Sequence, residues 1–186
     1  MCIRDSYIRQ SQQIAENLVK THDSGVLWAN QFDNIANQIS HYNSTGPEIW
    51  DQTNGKIDGF TCAVGTGGTL SGTGLFLKEK NKEIKIALSD PFGSGLFNHY
   101  QKGEMKAEGN SITEGIGQGR ITKNLENCPV DLSFRINDND ALTIIFDLLK
   151  EEGIFLGGSS GINVAGAIQL AKELGPGNTI VTILCL

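Results

Sequence analysis

Residues 62–74 read CAVGTGGTLSGTG. Five of the last ten are glycine, and the stretch holds neither lysine nor arginine. An apolar run, IDGFTCAV (57–64), precedes the turn, and TLSGTGLFLKEKN (69–81) reads as a helix after it. Strand, glycine-rich turn and helix start make the geometry of an anion site. Backbone N–H groups at a helix N-terminus point at a ligand there, and the helix dipole favours negative charge. Glycine permits close approach and positive φ, and Thr66 and Thr69 add hydroxyl donors. Such a loop can hold a phosphate with amides and hydroxyls alone. Two familiar phosphate motifs fail. The P-loop needs a lysine after its second glycine, and none is present. A G-x-G-x-x-G pattern starting at Gly65 needs glycine at 70, where Leu70 stands. Asp90, at the end of the next strand, stands where a ribose-binding acid would, which keeps a dinucleotide site as an alternative. On the loop alone, a turn that only lets helix and strand pack closely is another.

Outward from this turn, strands and helices alternate. Helices are predicted over 7–22 (YIRQSQQIAENLVKTH), over 34–56 with a break near Gly46-Pro47, and over 69–81. Two more cover 138–153 and 159–175. Asn137 or Asp138 is placed to cap the helix from 138, and Gly153 to end it. Strands are predicted at 25–32 (GVLWANQF), 57–64, 83–91, 131–138, 154–158 (IFLGG) and 178–186 (NTIVTILCL). The span 93–120 reads mostly as loop, and loops of that length are often functional. Most strands are continuous apolar runs, which implies burial on both faces. The predicted class is α/β, a layered and mostly parallel sheet with helices on both faces.

The totals narrow the function. The chain has 186 residues, 39% of them hydrophobic, and a net charge of −6, enough for one sizeable core. Its densest lysine run, LKEKNKEIK (77–85), is interrupted by glutamates, so it reads as a solvated helix end rather than a nucleic-acid surface. No apolar run reaches membrane-spanning length. Cys2, Cys62, Cys128 and Cys185 form no C-x-x-C pair, a pattern that suits a reducing cytoplasm. His22, His41 and His99 are scattered, so no metal centre is expected. Residues 1–6, MCIRDS, read as a non-native leader, and a core strand followed by nothing suggests a truncated protein.

A second small-residue turn, GGSSGINVAGA (157–167), repeats the strand–turn–helix arrangement. Ser159 and Ser160 are open to reading as N-caps, each contributing about 1 kcal/mol. Gly161, Ala165, Gly166 and Ala167 give the helix a thin face that admits a neighbour or ligand.

Taken together, NQFDNIAN (30–37), HYNSTGPEIW (41–50), VGTGGTLSGTG (64–74), ITEGIGQGR (112–120), GGSSGINVAGA and GPGNTIVTILC (175–185) resemble the cysteine synthase (O-acetylserine sulfhydrylase) family of pyridoxal-phosphate enzymes. The resemblance implies the fold-type II, tryptophan synthase β-like architecture. It implies a remainder of the smaller N-terminal domain and crossover at 7–50, and a large cofactor-binding domain from 51 to 186. Gly65, Thr66, Gly67, Gly68 and Thr69 match the cradle of the pyridoxal 5'-phosphate phosphate group. Ser159, with Ser160 as its fallback, matches the hydroxyl at the pyridine nitrogen. Gln31 matches a glutamine near the substrate carboxylate, and Gly115 and Gly117 match a loop along the ring. The implied reaction is β-replacement, in which O-acetylserine loses acetate and sulfide adds to give L-cysteine. The resemblance further implies a homodimer and docking of the C-terminal tail of serine acetyltransferase. The family's Schiff-base lysine lies upstream of this segment. None of Lys20, Lys78 or Lys80 has its context, so the chain is expected to be inactive alone. Cystathionine β-synthase shares the glycine loop and serine, and a non-catalytic scaffold relative is a further alternative.

Overall fold

The computed structural model of the chain describes residues 3–185. Met1, Cys2 and Leu186, on which part of the leader and chain-end expectations fall, lie outside the described residues. Four strands, β1 (Gly59–Cys62), β2 (Lys85–Pro91), β3 (Leu132–Ile136) and β4 (Ile180–Thr182), form one sheet in the order β3-β2-β1-β4. Every adjacent pair is parallel. The helices are α1 (Ile3–Leu18), α2 (Ala36–Asn43), α3 (Thr45–Gln52), α4 (Gly68–Lys80), α5 (Leu96–Lys102), α6 (Asp138–Asp147) and α7 (Gly158–Leu174).

The register explains the layers. Phe60 pairs with Ile86 and Cys62 with Leu88, and side chains alternate across a strand. One face of the sheet therefore carries Phe60, Cys62, Ile86 and Leu88, which join Leu70 and Leu77 of α4 in the main core. The other face carries Gly59, Thr61, Ala87 and Ser89, and these small residues let α7 come close. A Cβ added at Gly59 would lie 2.8 Å from Leu170 Cδ2, and one added at Gly166 would lie 2.7 Å from Ser89 Cβ. The thin helix face and the thin sheet face meet, so helices cover both sides as the apolar strands imply.

Local signals set several boundaries. Asn137 Oδ1 accepts from Asp140 N at 2.9 Å, capping α6. The helix runs on as a five-residue π-helical stretch, Leu148–Glu152, and stops at Gly153 with φ 69°. The break between α2 and α3 falls at Ser44 rather than at Gly46-Pro47. Pro47 sits within the first turn of α3, where its missing N–H has no intrahelical acceptor to lose. The span 93–120 is not all loop, since α5 occupies part of it.

Two predicted strands do not form. Residues 25–32 have no ladder partner among the described residues: 25–30 are irregular, with Asn30 at φ 45°, and 31–32 lie in a turn; Leu27 is 93% exposed and, of this segment, Phe32 alone is buried. Residues 154–158 make a single backbone bond of this kind, Gly157 N to Cys185 O at 2.9 Å. An apolar run becomes a strand only where a neighbouring strand supplies the ladder. The last strand is likewise shorter than 178–186, with ladder pairs at Ile180–Thr182 only.

Candidate functional site

In an open parallel sheet, ligands bind beyond the carboxyl ends of the strands where the strand order reverses. Here the chain moves from β1 to β2 to β3 and then returns to the other side of β1, so the reversal lies between β1 and β4. The glycine turn leaves β1 at that point.

Three consecutive carbonyls of the turn are held from one side. Val64 O accepts from Gly117 N at 2.8 Å. Gly65 O accepts from Gln118 Nε2 at 2.6 Å, and Thr66 O accepts from Thr122 Oγ1 at 2.6 Å. There is no cis peptide among the described residues. A trans peptide sets its N–H opposite its C=O, so the N–H groups of Gly65, Thr66 and Gly67 face the other side together. Gly67 then takes φ 91°, a left-handed conformation suited to glycine, and opens α4 without a side-chain cap. Three aligned amides thus run into a helix N-terminus whose Ncap residue has no side chain, and into its dipole.

The flanking hydroxyls fit the same purpose. Thr66 Oγ1 accepts from Asn37 Nδ2 at 2.9 Å and from Gly68 N at 3.3 Å, which leaves its own proton to donate. Thr69 Oγ1 lies 3.0 Å from His41 Nε2. An uncharged donor set of amides and hydroxyls on one side of a turn matches a phosphate group.

The other expected residues gather around this turn unequally. A Cβ at Gly65 would lie 2.7 Å from Gly115 O, so Gly115 and Gly117 lie directly against the turn. Gln31 has an exposed side chain, and its carbonyl accepts from Asn37 Nδ2 at 3.0 Å and Asn124 Nδ2 at 2.9 Å. Asn37 therefore ties Gln31 to Thr66. The adjoining Asp33 is gripped by Arg120 at 2.9 and 2.8 Å, and the guanidinium holds its carboxyl below the usual range.

The two serines separate clearly. Ser160 is buried; its Oγ donates to Cys185 O at 2.7 Å and accepts from Cys185 N at 2.6 Å, so its single proton is committed. Ser159 instead lines a cavity of about 370 Å³ with Thr113, Glu114, Asp138 and Gly158. A second cavity of about 450 Å³ is lined by Phe32, Phe92, Ser94, Gly117 and Gln118. Thr113 lines both, and none of Gly65–Thr69 lines either. The 111–118 segment is the link between the serine turn and the glycine turn.

Asp90 does not offer itself to a ribose. It is fully buried, and Oδ2 accepts from Phe97 N at 2.8 Å at the start of α5. Burial pushes its carboxyl up to about 6, against the opposing pull of that N–H, Ser94 and Arg135.

Sequence reasoning missed the positioning residues. Asn163 is one: its Oδ1 accepts from Ala63 N at 2.6 Å and its Nδ2 donates to Ile183 O at 2.8 Å, bridging β1 and β4 where they diverge. Asn37, Gln118 and Thr122 are others. The signal for Asn163 was a polar residue inside the run Gly161–Ala167, otherwise made of glycine, alanine, isoleucine and valine.

Comparison with known proteins gives the family. The family of pyridoxal-phosphate dependent enzymes matches residues 2–185, and the chain belongs to that family. Cysteine synthase 1 of Neurospora crassa is 48% identical over 186 residues, covering 97% of this chain and 48% of its own length. Cysteine synthase 1 of Emericella nidulans is 46% identical over 185 residues, covering 97% and 49%. Among solved structures, O-acetyl serine sulfhydrylase isoform 3 from Entamoeba histolytica superposes with a TM-score of 0.79 at 36% identity, over 91% of this chain and 49% of that one. The O-acetylserine dependent cystathionine beta-synthase of Helicobacter pylori gives 0.79 at 29% identity, over 91% and 53%. The chain spans about half the length of the curated relatives it matches.

Proposed function

We propose that this chain is the cofactor-holding part of a cysteine synthase, an enzyme that makes L-cysteine from O-acetylserine and sulfide. The observation that carries the reading is the set of three carbonyls, Val64, Gly65 and Thr66, held from one side so that three amides face the other. In this reading Gly65–Thr69 hold the phosphate of pyridoxal 5'-phosphate through those amides and the Thr66 hydroxyl. Ser159 stands at the ring nitrogen, because the Ser160 proton is already engaged by Cys185. Gly115 and Gly117 lie along the ring, and Gln31 near the substrate carboxylate. When bound, the cofactor supplies the electron sink that lets the Cα proton and the β-substituent leave. Ser159 presents a neutral hydroxyl rather than a carboxylate, so it does not enforce a cationic ring, and this favours elimination at Cβ over transamination. The relatives' cysteine synthase names and the match over 97% of the chain support the substrate assignment. A homodimer, a serine acetyltransferase tail as partner and a cytoplasmic location belong to the same proposal for the whole enzyme.

The test is pyridoxal 5'-phosphate binding to the full chain by equilibrium dialysis, with inorganic phosphate as competitor. Thr66→Val removes one hydroxyl donor to an anion and is expected to weaken binding about 10- to 100-fold. Binding that ignores both phosphate and Thr66→Val refutes the cradle.

A further inference from the structure

The turn contains no cationic side chain, yet one ionisable ring is hydrogen-bonded to it. His41 projects from α2 between α3 and α4. Its Nδ1 lies 2.9 Å from Thr45 Oγ1 and its Nε2 lies 3.0 Å from Thr69 Oγ1. The approach of α2 depends on Gly72 of α4, where a Cβ would lie 2.8 Å from His41 Cβ and 2.9 Å from Tyr42 N.

A neutral imidazole has one N–H, and two arrangements satisfy both threonines. If Nδ1 carries the proton, it donates to Thr45 and Nε2 accepts from Thr69. The Thr69 hydroxyl then offers an anion only lone pairs. If Nε2 carries the proton, it donates to Thr69 and Nδ1 accepts from Thr45. The Thr69 proton is then free to point into the turn.

We propose that His41 is a positioning residue for the phosphate-holding turn: by donating Nε2–H to Thr69 Oγ1 it releases the Thr69 hydroxyl proton to a phosphate oxygen, and the bound anion holds His41 in that donating form. The proposal rests on Gly65–Thr69 being the phosphate cradle. An imidazolium donates from both nitrogens, so protonation keeps the donation to Thr69, makes Thr45 Oγ1 the acceptor at Nδ1 and places a charge behind a turn that has none. Without ligand, burial of the ring lowers the His41 pKa; a phosphate beside Thr69 raises it. The ionisable groups on the packed elements are Glu48 and Asp51 of α3, Lys78, Glu79 and Lys80 of α4, and Tyr42 of α2 itself. Tyr42 donates to Glu79, Lys78 pairs with Asp131, Lys80 sits over Phe76, Gln52 donates to Glu48, and Asp51 is exposed. None of them contributes to the His41 shift, whose cause is burial.

The experiment is ring-nitrogen NMR of the full ¹⁵N-labelled chain between pH 5 and 8, without ligand, with inorganic phosphate and with pyridoxal 5'-phosphate. The chain has three histidines, so assignment is direct. On ligand addition His41 is expected to show the Nε2–H form and a titration midpoint about 1 pH unit higher. His41→Leu is expected to weaken pyridoxal 5'-phosphate binding about tenfold. His41→Gln, which keeps a donor to Thr69, restores most of it. Shifted backbone amides at Gly65–Thr69 with an unchanged His41 ring, or a ring that adopts the Nδ1–H form, overturn this proposal alone. Unshifted amides overturn the cradle and this proposal with it. Should His41→Leu fail to fold, the wild-type ring titration decides.

Discussion

Replacing Gly166 by alanine inserts a methyl group where α7 crosses β2. That Cβ would collide with Ser89 Oγ and lie 2.7 Å from Ser89 Cβ and 3.5 Å from Ser89 Cα. Ser89 has nowhere to turn. The Thr61 hydroxyl gives its only proton to Ala87 O at 2.9 Å, so Ser89 must be the donor in the 2.8 Å contact between the two hydroxyls, and both residues are fully buried. Helix and strand therefore have to separate. Overpacking of this kind costs about 1–3 kcal/mol, and the upper end applies because both partners sit inside regular elements. Alanine returns up to about 1 kcal/mol of helix propensity. The net expectation is a loss of about 2 kcal/mol, seen as a lower urea midpoint at unchanged m-value. Adding Ser89→Gly clears the contact, so the double variant should lose less than the sum of the singles by about 2 kcal/mol. A Gly166→Ala protein as stable as wild type, or one that Ser89→Gly does not relieve, refutes the close-packing argument.

Asn163→Ala leaves Ala63 N and Ile183 O without their partner and should cost about 3 kcal/mol in urea unfolding, and Asn163→Asp, which keeps the acceptor for Ala63 N but buries a carboxylate against Ile183 O, should lose at least as much at pH 8. Asp90 has a folded pKa of about 6 against an ordinary 3.8, so the protonated form favours the fold; its contribution is complete below about pH 4 and lost as pH rises through 6. Asp90→Asn, neutral throughout, should exceed wild type by about 2 kcal/mol at pH 8 and match it near pH 4, and a gap independent of pH would contradict the burial account. Ser160→Ala should lower the urea midpoint by breaking both bonds to Cys185, while Ser159→Ala should leave it within about 0.5 kcal/mol of wild type and weaken pyridoxal 5'-phosphate binding in dialysis.

The layering was readable because it depends on local pattern. Continuous apolar runs at 57–64 and 83–91 became the two inner strands, and the small residues from Gly161 to Ala167 announced a close helix–sheet contact. Asn137 capped α6, and Gly153 ended the π-helical stretch that continues it, as their chemistry requires. Residues 25–32 and 154–158 failed as strands for a non-local reason: hydrophobicity shows that a segment can pair, not that a partner stands beside it. The glycine turn was legible as a turn between β1 and α4, and its reading as an anion site draws on backbone chemistry alone. What orients that backbone was not. Gln118 and Thr122 lie more than fifty residues from the carbonyls they hold, and nothing in local periodicity links such positions. Ser159 and Ser160 are equivalent as neighbours in a sequence, and the bonds from Ser160 to Cys185 and the cavity at Ser159 tell them apart.

The holding of three successive carbonyls makes the turn and the 117–122 segment a single mechanical unit. Each peptide plane is stiff, so the amides cannot keep their aim if Gly117, Gln118 and Thr122 let go. An anion seated on the amide side therefore restrains groups on the opposite side that it never touches. The Gly117 amide proton, which bonds Val64 O, should exchange with deuterium more slowly once phosphate is bound, reporting occupancy through the rigidity of the chain itself.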